Sequence, residues 1–353
     1  MVMRNSVILS AVVLLLSVSS CSKDDSPSGE QLDQSPIVVM LCSPNGPGDV
    51  NYEDRMLSAV ERKAKEKGLR TYVISPSSRP SGKAEMLDYM AKHKDGIKRL
   101  YVVLSPVYDR YVGLEELAAA LPADSMSQLL AIGPPSKLNI HTAEINTYGL
   151  YYTAGVLAAK FTEGEEDTPF CEGDAGDEYM LQASLGFKDS ICSKTDFEKA
   201  LADDRLYVYG EDEQVLEDEK DYYLFQYLYG DIYWYNDLSP FCLFLTKPIF
   251  KAAVLRDPQT IRNYYTAGVD VDCSIYSNRV AFSCVRQVDR LMENCIDQWL
   301  SAEGLPKSQS YGFDSEYCSL VVSPGYEYLQ PYADACREEA LAGEKKWLET
   351  RNQ

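Results

Sequence analysis

Five consecutive apolar residues, Ile37-Val38-Val39-Met40-Leu41, constrain this chain more than any other feature. A run so short and unbroken suits a strand buried on both faces, and such strands belong to parallel sheets with helices on either side. A polar, Gly-rich turn follows from Ser43 to Asp49, and then a helical period runs from Tyr52 to Lys67 and stops at Gly68. Thr71 to Ile74 reads as a second strand, Ser81 to His93 as a helix, Leu100 to Leu104 as a strand, Leu114 to Ala120 as a helix and Gln128 to Ile132 as a fourth strand. This βαβα order requires a parallel sheet with crossover helices on both faces.

The pattern restarts at a strongly apolar helix, Tyr148 to Phe161, followed by an acidic loop from Glu163 to Glu178. Met180 to Phe187, Leu206 to Tyr209 and Ile232 to Tyr235 are strand candidates, and Asp218 to Tyr229 is an aromatic helix or loop. Thr246 to Leu255 reads as a helix, Tyr264 to Val269 as a strand and Arg286 to Ser301 as an amphipathic helix. The expected fold is therefore α/β, two doubly wound parallel-sheet units in series, and 353 residues suffice to bury a core in each. Ligands of open parallel sheets sit beyond the carboxyl ends of the strands, so Asn45 to Tyr52 and Asp270 to Tyr276 are expected at a cleft.

With 34 Lys and Arg against 54 Asp and Glu, the formal charge is −20. Such a surface repels phosphate backbones, which excludes nucleic acid as a partner. Two histidines leave little for a His-rich metal site or a His relay, and no metal or cofactor is expected.

Residues 1–20 combine Arg4 with the apolar run Ser6 to Val18, which is too short for a comfortable span and reads as a signal peptide. Val18-Ser19-Ser20-Cys21 looks like a bacterial lipobox, so Cys21 is the expected lipidation site and the membrane is met through that lipid alone. The polar stretch 21–35 cannot bury enough apolar area to order itself, which makes it a tether. Its Asp24-Asp25 pair resembles the export tag of surface-exposed lipoproteins, and an ordinary polar linker is the alternative. The expected location is the bacterial cell envelope, anchored in the outer membrane. Nine cysteines remain beyond Cys21, none in a CxxC pair, and Cys171 with Cys192 is the first disulfide to test. Small buried apolar residues are the other reading of these thiols.

Gly46-Pro47-Gly48-Asp49 lacks the GxGxxG spacing, and no GxxxxGK[ST] occurs, so dinucleotide and P-loop readings fail. The turn presents Asp49, Asn51 and Tyr52, either as polar and ring-stacking ligand contacts or as a helix N-cap with Tyr52 as a core contact. Gly268-Val269-Asp270-Val271-Asp272 sets two carboxylates at a strand end, where i, i+2 spacing in an extended segment points both to one side. They suit a shared polyol or metal, a catalytic pair or simple loop capping. Aromatic residues crowd Tyr222 to Tyr235, core or sugar platform, with Trp234 or Tyr235 the ones to reach the cleft. The acidic runs Glu163 to Glu166 and Glu211 to Asp221 lack the EF-hand pattern and read as solvated faces.

Together these segments resemble the basic membrane protein family of substrate-binding lipoproteins, which includes the PnrA-like purine nucleoside receptors. Tyr151-Tyr152-Thr153-Ala154-Gly155-Val156-Leu157-Ala158-Ala159 resembles its (F/Y)LAGVLAA helix, Gly268 to Asp272 its GVDxD strand end, and Val280 to Asp289 its VLTSxxKxVD segment. Gly48 to Asp54 is a looser match to its DDKSFN turn. The resemblance implies a type I periplasmic-binding-protein fold whose two lobes are joined by three crossings, residues 36–147 plus 284–311 and residues 148–283 plus 312–353. It also implies that Tyr52 stands for a ring-stacking Phe, Asp49 for a polar turn residue, Asp270 for the carboxylate that binds ribose hydroxyls, and Arg286 for a Lys. Leu238 to Cys242 replaces the family's Gly-rich loop, which leaves the second lobe's lining its own.

The expected function is a monomeric, non-enzymatic, lipid-anchored binding protein that captures a small polar ligand by lobe closure, with a nucleoside as candidate ligand and an ABC permease as candidate partner. Asp49, Asn51, Tyr52, Trp234, Asp270 and Arg286 are the candidate ligand contacts. Two alternatives stand beside it: a carbohydrate hydrolase acting through Asp270 and Asp272, and a surface interaction protein that keeps the fold without a pocket. The hydrolase is disfavoured because carboxylates two residues apart on one strand do not flank a bond from both sides.

Overall fold

The computed structural model describes residues 33–44, 52–104, 113–122, 126–163, 169–172, 178–192, 241–245 and 265–351. Residues 35–353 form one compact unit. Its first half runs β1 (Ile37–Leu41), α1 (Tyr52–Lys67), β2 (Arg70–Ile74), α2 (Arg79–Lys92), β3 (Arg99–Leu104), α3 (Leu114–Ala120), β4 (Ser127–Ile132) and β5 (His141–Ile145). Then come α4 (Tyr148–Phe161), β6 (Phe170–Glu172), α5 (Glu178–Cys192), β7 (Cys242–Phe244), β8 (Thr266–Asp270) and β9 (Val280–Arg286). The chain ends with α6 (Val288–Leu300), β10 (Ser308–Tyr311), β11 (Cys318–Val322), α7 (Gln330–Ala335) and α8 (Arg337–Arg351).

The larger sheet has six parallel strands in the order β10-β5-β4-β3-β1-β2. Because side chains alternate across a strand, each central strand feeds two cores. Ile37, Val39, Leu41, Tyr101, Val103 and Leu129 pack with Met86 and Met90 of α2 and Leu114 and Leu117 of α3. Val38, Met40, Leu100, Val102 and Leu130 face the other way, onto Met56 and Val60 of α1 and Leu291, Ile296 and Trp299 of α6. Each such large apolar side chain contributes about 1.5–3 kcal/mol when fully buried, and the unbroken apolar run of β1 follows from this double burial.

The smaller sheet orders β11-β9-β8, with β9 parallel to β8 and antiparallel to β11. A bridge between Phe241 and Tyr265 sets the parallel pair β6-β7 beside β8. Three segments carry the chain between the two sheets, and they lie together. The Asn146 N–H donates to Tyr311 O (2.7 Å), the Gln287 N–H to Tyr317 O (2.8 Å) and the Cys318 thiol to Asn146 O (3.4 Å). The buried carboxylate of Glu344 on α8 accepts from the Gly149 N–H (3.0 Å) and the Phe313 N–H (2.8 Å), which ties two of these segments to one helix.

Several expectations need correction. Met180 to Phe187 is not a strand but the middle of α5, whose buried Ala183, Phe187 and Ile191 recur at helical spacing against α4. The contact is close because Gly186 lies over the α4 backbone, where an added Cβ would stand 2.2 Å from Tyr148 O. Cys171 is buried, and the side chain of Cys192, its expected disulfide partner, lies outside the described residues. The readings of Leu206 to Tyr209, Asp218 to Tyr229, Ile232 to Tyr235 and Thr246 to Leu255 lie outside the described residues, as do Cys21, Asp49, Asn51 and Trp234.

Candidate functional site

β8 and β9 run parallel and end side by side, with Asp270 opposite Val285 and Arg286 one residue further on. Close approach of the two strands depends on Gly268, where a Cβ would meet Ser283 Oγ at 2.4 Å. The backbone leaves the sheet at Asp270 in the left-handed region, φ 66°, a conformation that a short polar side chain tolerates better than most. The turn throws the Asp270 carboxylate inward, where it is fully buried.

There Arg286 Nε donates to Asp270 Oδ1, closing a buried ion pair. The Tyr179 hydroxyl of α5 donates to the same oxygen at 2.9 Å, and the Arg286 guanidinium lies 3.5 Å from the centre of the Tyr179 ring. The Tyr151 hydroxyl of α4 sits 2.9 Å from that of Tyr179. Burial pushes both phenols well above their ordinary range, so each stays protonated. For Tyr179 the Arg286 cation pulls the other way, and burial outweighs it. The result is a carboxylate, a guanidinium and two phenols joined at a strand end, with charge balanced inside a low dielectric.

Asp272 takes no part in that cluster. Its Oδ1 accepts from the Ser274 N–H (3.0 Å) and the Ser283 hydroxyl (3.4 Å), which caps the turn after β8. The expectation that Asp270 and Asp272 point to one side fails because the left-handed turn at Asp270 ends the extended run between them.

α1 faces this strand end from the larger sheet. Tyr52 opens the helix, and at the next position the buried Glu53 accepts from the Ser43 N–H and hydroxyl, both at 2.6 Å, pinning the start of the β1–α1 turn. Burial, then Glu53, pushes the neighbouring Cys42 thiol up to about 12. Arg55 reaches the carbonyls of Asp270 (3.1 Å) and Arg286 (2.8 Å).

Of the residues read from sequence, the structure brings Asp270 and Arg286 into direct contact, and Tyr52 starts the helix that meets them. Sequence reasoning missed Tyr179, Tyr151 and Arg55. A signal existed for Arg55: a cation in the first turn of a helix opposes the helix dipole and calls for a specific acceptor. Among the described residues no group of three or more His, Cys, Asp or Glu is arranged to hold a metal ion, and no helix is long and apolar enough to cross a membrane.

No protein-family model matches this sequence, and no curated protein does. Solved structures do. A solute-binding protein of an ABC transporter system from Aeropyrum pernix K1 superposes with a TM-score of 0.62 at 14% identity, over 90% of this chain and 92% of that one. The fold is that of a type I periplasmic binding protein. An ABC transporter solute-binding protein from Agrobacterium vitis with bound allitol is similar at TM-score 0.54 and 12% identity, covering 84% of this chain and 98% of that one. A transcriptional activator of the comK gene from Bacillus halodurans has TM-score 0.57 and 12% identity, over 86% and 96% of the two chains. Transport and regulatory proteins thus share this frame, and function has to be argued from the site.

Proposed function

We propose that this chain is a solute-binding protein of the cell envelope, lipid-anchored through Cys21, that holds a small polar ligand between two lobes, residues 36–147 plus 284–311 and residues 148–283 plus 312–353. The observation that carries the reading is the cluster of Asp270, Arg286 and Tyr179 at the carboxyl ends of β8 and β9, where open α/β sheets take their ligands. A carboxylate, a planar fork of donors and aromatic faces suit a ligand with adjacent hydroxyls and a flat or apolar face. The resemblance to the basic membrane protein family makes a nucleoside the candidate, with Asp49, Asn51, Tyr52 and Trp234 supplying the remaining contacts. A polyol is the second ligand class, in keeping with the allitol-bound relative of the fold. An ABC permease is the candidate partner.

One observation favours the reading in which the fold is kept for surface interaction. The Asp270 carboxylate is fully buried, and the chain's own Arg286 sits over the Tyr179 ring, 3.5 Å from its centre, where a ligand would otherwise lie. A thermal-shift and calorimetric screen of the full-length protein in detergent decides between the two, using adenosine, guanosine, D-ribose and allitol as probes. A rise in Tm with matching heat of binding supports solute capture, and Asp270→Ala is then expected to abolish it. No shift from any probe supports the surface reading. Membrane fractionation of Cys21→Ala tests the anchor, with release into the soluble fraction expected.

A further inference from the structure

The two terminal nitrogens of Arg55 serve different sets of acceptors. Nη1 donates to the carbonyls that end β8 and β9, Asp270 O at 3.1 Å and Arg286 O at 2.8 Å. Nη2 donates to Gln287 Oε1 at 2.9 Å and Asp289 Oδ1 at 2.5 Å, at the start of α6. α6 is tied along α1 by Arg62 to Glu293 (2.6 Å) and Lys63 to Asp297 (2.7 Å), and both helices cover the larger sheet. One guanidinium therefore spans the joint at Gln287, with one nitrogen on each side. Asp270, whose carbonyl it holds, is also the one non-glycine among the described residues with positive φ. A sparsely populated backbone conformation persists where its surroundings over-determine it. Here Arg55 fixes the carbonyl, while Arg286 and Tyr179 fix the side chain.

We propose that Arg55 is a positioning residue of the ligand site: it holds the turn at Asp270 and sets the spacing between α1 and the ends of β8 and β9. Any ligand contact made by Asp270 or Arg286 then depends on a residue that bonds to their backbone carbonyls. The planar fork suits this role, because a single guanidinium reaches four acceptors on two bodies at once, whereas an ammonium of the same charge is a point donor. The part of this proposal that concerns affinity rests on the solute-binding reading above, and the part that concerns spacing does not.

The test compares wild type, Arg55→Met and Arg55→Lys, each as full-length protein in detergent, by hydrogen exchange. Losing charge-assisted bonds across the joint is expected to speed amide exchange in peptides covering residues 268–275 and 284–291 by on the order of tenfold or more in Arg55→Met, with a smaller rise in Arg55→Lys. Peptides from β3 and β4 are expected to keep wild-type rates. Unchanged exchange over 268–275 in both variants overturns the proposal, and so does faster exchange confined to residues 288–293, which would leave Arg55 a cap for α6 alone. If Arg55→Met does not fold, Arg55→Lys carries the same comparison. Adenosine, D-ribose and allitol serve as probes in a parallel titration: for any of them that wild type binds, Kd is expected to rise about tenfold or more in Arg55→Met, and an unchanged Kd overturns the positioning role. Should wild type bind none, the solute-binding reading fails for these classes, and the exchange result still decides the role of Arg55.

Discussion

Replacing Arg286 by Met removes the cation from a fully buried carboxylate while keeping a side chain of similar length. Taking away one member of a buried pair costs about 3–5 kcal/mol, because the remaining charge has neither water nor a counter-ion. The carboxylate has one escape, to bind a proton. At pH 7 that costs about 4 kcal/mol, from roughly 1.4 kcal/mol per pH unit over the three units that separate neutrality from an ordinary aspartate. The ceiling is therefore about 4 kcal/mol at pH 7, against a total of about 5–15 kcal/mol for a typical domain. The sign follows from linkage: in the variant Asp270 binds its proton more tightly folded than unfolded, so stability is kept at low pH and lost as pH rises. Urea denaturation of wild type and Arg286→Met at pH 4.5 and pH 7 should show a deficit that grows by about 3 kcal/mol between them. Adding Asp270→Asn should recover most of the loss at pH 7. A deficit below about 1 kcal/mol at both pH values would refute a desolvated pair.

Gly186→Ala is expected to cost about 3 kcal/mol, since the new Cβ would stand 2.2 Å from Tyr148 O and α4 cannot retreat without opening its core; thermal denaturation checks it. Burial raises the Glu344 carboxyl, outweighing the two N–H donors that lower it. The stability it confers is thus full below the ordinary glutamate range and declines as pH rises through the raised folded value, so Glu344→Gln should flatten the stability curve just above that range. The Cys42 thiol, pushed up to about 12, should resist iodoacetamide at pH 8 in native protein and react once urea unfolds it.

How much was legible depends on how local each determinant is. β1, β3 and β4 announce themselves because both faces are buried, which leaves unbroken apolar runs. β5 and β10, His141–Ile145 and Ser308–Tyr311, carry polar residues that no short window marks as strand. In β5 the buried Glu144 is answered from far along the chain, by Arg351 with two bonds, 2.7 and 3.0 Å, and by the Ser310 hydroxyl at 2.9 Å. α5 reads as a strand because its apolar residues were judged over eight positions, too few to separate a period of two from one of 3.6. In the site, Asp270 was visible as a charge at a strand end, and Arg286, read as the first residue of a helix, only through the family resemblance. Tyr179 and Arg55 were not, since each acquires its role from a partner remote in sequence: Asp270 lies 91 residues from Tyr179 and 215 from Arg55.

The late position of β10 bears on how the chain matures. Its four residues complete the edge of a sheet whose other strands were all made before residue 146. Until Tyr311 emerges from the ribosome, β5 presents an unsatisfied backbone edge, and until Leu300 does so α6 is incomplete over the apolar residues of α1. The first five strands therefore cannot complete their sheet ahead of the later part of the chain, so a chain arrested anywhere before β10 should be a folding intermediate that holdase chaperones recognise and proteases cut.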